Sequence, residues 1–202
     1  MTAISRSTAV VTAVLALLAS GGCGGTALHR STASASVAGA GVPAAPGSFS
    51  WLRAQAPVAG WRVARTSNGA TLAYPPSWRT LGGDRGSASA ALLDPSGRYL
   101  GYLNLTPREG AESRASWVSF RARHNRAEGD REVRVLGSAA GLRFRSGAGT
   151  CLTDSYTTST DAHYVEVACL IGGASPAVVV GAAPPDDWRT QGATIERAIS
   201  SA

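Results

Sequence analysis

Short runs of alternating apolar and polar residues, broken by turn-forming dipeptides, dominate the chain from Trp61 onward. Trp61 to Arg65 and Thr71 to Tyr74 flank Asn68-Gly69, a pair that tolerates positive φ and so predicts a tight hairpin; Pro75-Pro76 stops its second strand. Ser89 to Leu93 and Tyr99 to Leu105 flank Asp94-Pro95-Ser96-Gly97, which predicts a second hairpin, because proline presets one turn torsion and glycine relieves the exit. Further strands are expected at Glu132 to Gly137, Gly141 to Arg145, Gly149 to Ser155, His163 to Ile171 and Ala177 to Gly181. The period changes in two places. Glu112 to Ala127 reads as a helix whose apolar residues form two arcs, Trp117, Phe120 and His124 on one side and Ala111, Ala115, Val118 and Ala122 nearly opposite. Asp187 to Ser200 reads as a second helix with one stripe, Trp188, Ile195 and Ile199, entered through Pro184-Pro185-Asp186. The order strands, helix, strands, helix implies an α+β domain built on a mainly antiparallel sheet.

The chain before this pattern has a different character. Ala9 to Ala19 is an uncharged run after Arg6, too short for the ~20 residues that span a bilayer but suited to a secretory leader. It ends in Leu18-Ala19-Ser20-Gly21-Gly22-Cys23, which resembles a bacterial lipoprotein signal, although Ser20 stands where leucine is usual. Residues 1–22 are therefore expected to be a signal peptide, and Cys23 a lipidated N-terminus anchored in the plasma membrane by two or three acyl chains. Residues 23–60 are rich in Ala, Ser, Thr, Gly and Pro and read as a flexible tether, interrupted by Phe49, Trp51 and Leu52, which either dock on the domain or form an unstructured apolar island. Residues 61–202 then form one domain.

Setting Cys23 aside leaves Cys151 and Cys169, an even pair in an oxidising compartment. In the hairpin joined through Thr157 to Asp161, the register that sets Tyr156 opposite Tyr164 also sets Cys151 opposite Cys169, within reach of a bridge. Closing that loop contributes about 3 kcal/mol on the chain-entropy model.

Composition narrows the chemistry. All 19 basic residues are arginine, giving a formal charge of +6. Without lysine there is no phosphate-loop lysine, no Schiff base and no Ser-x-x-Lys pair, and no Gly-x-Ser-x-Gly, Gly-x-Gly-x-x-Gly or His-Glu-x-x-His motif occurs. Asp154, Asp161, His163 and Glu166 form an acidic cluster, with Asp154 and Glu166 facing one another across the hairpin as a conceivable hard-cation site. Opposed carboxylates on an exposed hairpin are more simply surface charge, so no metal or other cofactor is expected.

The segment Leu72-Ala73-Tyr74-Pro75-Pro76-Ser77-Trp78, with the order of elements around it, resembles the strand-Tyr-Pro-x-x-Trp opening of PsbP/Mog-like domains, particularly those of actinobacterial lipoproteins. The resemblance implies an αβα sandwich around the antiparallel sheet, with members that act by binding; no catalytic residue carries over. Three functions remain in view. The first is a non-enzymatic accessory lipoprotein on the extracytoplasmic face of the plasma membrane, docking on a membrane protein complex or transporter. Its candidate contacts are Tyr102, Trp117 and Phe120, together with Arg134, Arg143 and Arg145, which alternate with Val133, Val135, Leu142 and Phe144 and so face solvent. The alternatives are a small-molecule or lipid carrier with a pocket between sheet and first helix, and a metal-dependent envelope enzyme. Nucleic acid is not an expected partner despite a pI near 9.9, because export places the protein away from it.

Overall fold

The structure, a computed structural model, describes residues 49–110 and 112–202. The expected signal peptide, the expected lipidation site Cys23, most of the expected tether and Ala111 lie outside the described residues. The elements run β1 (Arg62–Arg65), β2 (Thr71–Tyr74), β3 (Arg79–Leu81), β4 (Ala88–Leu93), β5 (Tyr99–Pro107), α1 (Trp117–Ala127), β6 (Arg131–Arg143), β7 (Ala148–Thr157), β8 (His163–Ile171), β9 (Ala177–Ala183) and α2 (Pro185–Ser200). β3 to β9 make one seven-stranded sheet in the order β3-β4-β5-β9-β8-β7-β6, with every pairing antiparallel. β1 and β2 form a separate two-stranded sheet. The fold is α+β, as expected.

Local chemistry accounts for the turns. Gly69, at φ +90°, closes the β1–β2 hairpin. In the β4–β5 turn Asp94 Oδ1 accepts hydrogen bonds from the backbone N–H of Ser96 (2.8 Å) and Arg98 (3.0 Å), and Gly97 takes φ +89°. β7 and β8 pair in the expected register, Tyr156 with Tyr164 and Cys151 with Cys169, and the two cysteines are bridged with their Cα atoms 4.0 Å apart.

Strand alternation sorts the sheet's side chains onto two faces. On one, Leu103, Val167, Cys169 and Val179 meet Ile195 and Ile199 of α2, and Leu72, Tyr74 and Trp78 extend the same core. α2 comes unusually close at Gly181, where an added Cβ would stand 2.3 Å from Ile195 Cγ2. Phe49 and Leu52 are also buried in this core, and Gln55 N–H donates to the Ser200 carbonyl. The compact unit thus reaches back to Phe49, into the stretch read as tether. On the other face Leu152, Ala168, Leu170 and Val180 pack against Trp117 of α1. Two helices on opposite faces of one sheet make the αβα sandwich.

Two expectations are corrected, and one strand was not expected. The two strands read at Glu132 to Gly137 and Gly141 to Arg145 are one strand, β6, of 13 residues, kept in pairing with β7 by three register shifts. Those bulges end the simple alternation, so that Val135 and Leu136 are both exposed. The first helix starts at Trp117 rather than Glu112, because Ser113 and Ser116 hold the preceding residues in a turn. Finally, β3 is too short to show a period. None of the helices among the described residues is long and apolar enough to cross a membrane.

Candidate functional site

α1 covers only part of its face. Its packing is on β6, β7 and β8, so the sheet continues beyond Val180 into an open floor formed by β9 and β5. Tyr102, Asn104, Thr106 and Val178 project from that floor beside Val180, and α1 supplies a wall of Trp117, Phe120, Arg121 and His124. Asp84, from the β3–β4 loop, and Glu109 and Glu112, from the β5–α1 loop, stand at the rim. The cleft measures about 400 Å³.

The aromatic wall is a ladder. Trp117 and Phe120 stack at 5.9 Å between ring centroids, and Phe120 and His124 at 6.3 Å. Trp117 itself is a core residue, fully buried, with its indole N–H donating to the Ala168 carbonyl at 3.0 Å. Phe120 and Tyr102 are half-buried and present surface to the cleft. The floor's polar groups satisfy one another: Asn104 Nδ2 donates to Ser89 Oγ at 2.8 Å, and Thr106 Oγ1 donates to Asn104 Oδ1 at 2.7 Å.

Beneath α1, next to the cleft, lies a buried ionic cluster. Asp154 and Glu166 are opposed across β7 and β8 and are 0% and 1% exposed, not on a solvated hairpin as the sequence suggested. Arg121 grips Glu166 with two parallel bonds, Nε to Oε1 at 2.7 Å and Nη2 to Oε2 at 2.8 Å. Tyr156 O–H adds a 3.3 Å bond to Glu166, and Asn125 Nδ2 donates to Asp154 Oδ2 at 3.2 Å. Asp154 Oδ1 has no partner among the described residues. Two buried carboxylates therefore share one cation. Burial first, and the charge of Glu166 second, push the Asp154 carboxyl up to about 8, so it holds its proton at neutral pH. Burial works against the charge on Arg121, but Glu166 more than compensates and the guanidinium is held more firmly cationic than usual.

The residues singled out from sequence divide into two groups. Tyr102, Trp117 and Phe120 come together at the cleft. Arg134 and Arg143 are exposed on β6, at the far edge of the sheet, with Arg145 just beyond its end, and none of the three makes an ion pair among the described residues. Asp161 and His163 do not join Asp154 and Glu166: Asp161 pairs with Arg131 at the hairpin tip, and His163 Nδ1 lies 2.9 Å from Thr157 Oγ1. Among the described residues no group of three His, Cys, Asp or Glu is placed to hold a metal. Sequence reading missed Arg121 and Asn125, polar helix positions whose partners lie 45 and 29 residues away.

No protein-family model matches the sequence, and no curated protein matches it. Solved structures give low-identity likenesses. The solution structure of cyanobacterial PsbP (CyanoP) from Synechocystis sp. PCC 6803 is 16% identical with a TM-score of 0.48, covering 71% of this chain and 92% of its own. PA94 of Pseudomonas aeruginosa, a protein of unknown function, is 13% identical with a TM-score of 0.46 over 70% and 95%. LpqN of Mycobacterium tuberculosis, involved in cell envelope biogenesis, is 17% identical with a TM-score of 0.38 over 64% and 77%.

Proposed function

We propose that this chain is a non-enzymatic accessory lipoprotein, held at the extracytoplasmic face of the plasma membrane through Cys23, that docks on a membrane protein through the cleft beside α1. One observation carries the reading: the sheet face that α1 leaves uncovered gathers Tyr102 and Phe120 at an open groove, while the polar groups in its floor are already paired. A surface of half-buried aromatics over internally satisfied polar groups favours a complementary surface more than a reacting substrate. The paired cysteines suit an oxidising compartment.

A photo-crosslinking residue installed at Tyr102 in cells tests this, with the same residue at Thr190 on the exposed side of α2 as reference. A discrete crosslinked membrane protein is expected from position 102, absent from position 190, and lost on Phe120→Ala. Identical patterns from both positions, or none from 102, would overturn the docking reading. The cleft's volume also suits a small-molecule carrier, the second reading. Native mass spectrometry separates the two, since carriage requires a reproducible bound mass.

A further inference from the structure

The cleft is acidic on a basic protein. Three carboxylates stand at its rim on two separate loops, against Arg121 and His124 in the wall. Arg121 is not a free cation, because both Nε and Nη2 are committed to the buried carboxylate of Glu166. The chain as a whole carries +6, and Arg134, Arg143 and Arg145, which make no ion pair among the described residues, sit at the opposite edge of the sheet. The lining of the cleft is thus acidic, while Arg85, Arg108 and Arg114, on the same two loops, are exposed and do not line it.

The lining agrees with that sign. Ring faces attract cations, and the Trp117–Phe120–His124 ladder with Tyr102 puts aromatic surface along the groove. Asn104 and Thr106 are bonded to each other and to Ser89, so the floor offers little to an anionic headgroup. Carboxylates at a low-dielectric mouth steer positive groups inward. Resting on the docking reading above, the geometry points to a basic, extended segment of a partner protein as the occupant. Its arginine or lysine stem lies along Phe120 and Tyr102, and its charge reaches Asp84, Glu109 and Glu112.

Fluorescence anisotropy with the full chain tests the assignment, using a labelled hexapeptide alternating arginine and leucine and its glutamate–leucine counterpart. The basic peptide is expected to bind, to weaken as salt rises from about 20 to about 300 mM, and to leave the acidic one behind. Asp84→Asn with Glu109→Gln and Glu112→Gln is expected to weaken it roughly tenfold and Phe120→Ala by at least about threefold, while Arg143→Gln leaves it unchanged. Glutamine at 112 still accepts the Gly110 N–H bond, and a melting curve for each variant separates lost binding from lost fold. Equal binding of both peptides, no binding of either, or an unchanged triple variant would overturn the assignment. So would concentration-dependent self-association that the basic peptide abolishes, since the occupant would then be the arginine edge of a second copy. Crosslinking of a different membrane protein from position 102 would survive the peptide results, whereas self-association would give a crosslinked dimer of this chain, so failure of the ligand class and failure of cleft docking are distinguishable.

Discussion

Asp154 is a fully buried carboxyl, and its consequence is a pH dependence of stability. In the folded protein its carboxyl is pushed up to about 8, first by burial and second by Glu166, whereas in the unfolded chain it ionises near 3.8. The folded state therefore binds the extra proton, and the stability this group confers is fully present below about pH 4 and lost as pH rises through about 8. The groups facing it are Glu166 and Tyr156 on the sheet, Arg121 and Asn125 on α1, and Asp130 in the following turn. Asp154→Asn keeps the shape and still accepts from Asn125. Its expected signature is a melting temperature that hardly changes at about pH 3.5 and rises by several degrees at about pH 9, read by circular dichroism. An equal rise at both pH values would contradict a proton-linked origin.

At the level of elements, α2 lies tightly against β9 at Gly181. Ile195 Cγ2, Ile199 Cδ1 and Leu103 Cδ2 would lie 2.3, 3.2 and 3.3 Å from an added Cβ, so Gly181→Ala must push the helix off the sheet. We expect a loss of about 1–3 kcal/mol in urea unfolding, the usual cost of overpacking a core. The β7–β8 hairpin was fully legible in sequence, because a period of two and one turn fix every pair once Tyr156 is set against Tyr164. β6 was not, since Gly137 and Gly141 read as strand breaks when the chain in fact continues through them. The site was half legible. Tyr102 and Phe120 follow from the apolar pattern, while Arg121 and Asn125 look like an ordinary wet helix face until the strands bring Glu166 and Asp154 beneath them.

For the molecule as a whole, the two ends of the sheet are unequal. One is closed by β3, three residues long; the other is β6, whose 13 residues run against the 10 of β7. The surplus is taken up in three places, between Arg131 and Arg134, Val135 and Gly137, and Ala139 and Leu142, with Glu132 and Gly141 at positive φ. Long flat edges invite pairing with a neighbouring chain, and bulges are one way to blunt them. Removing Glu132, Leu136 and Gly141 together restores one-to-one pairing along the whole strand. Such a variant is expected to raise thioflavin T fluorescence and to sediment as larger species than the parent at equal concentration; an unchanged sedimentation profile would show that the surplus residues serve another end. On this account the stammer in the edge strand is a form of insulation: it keeps a ragged margin where a ruled one would let each molecule become the template for the next.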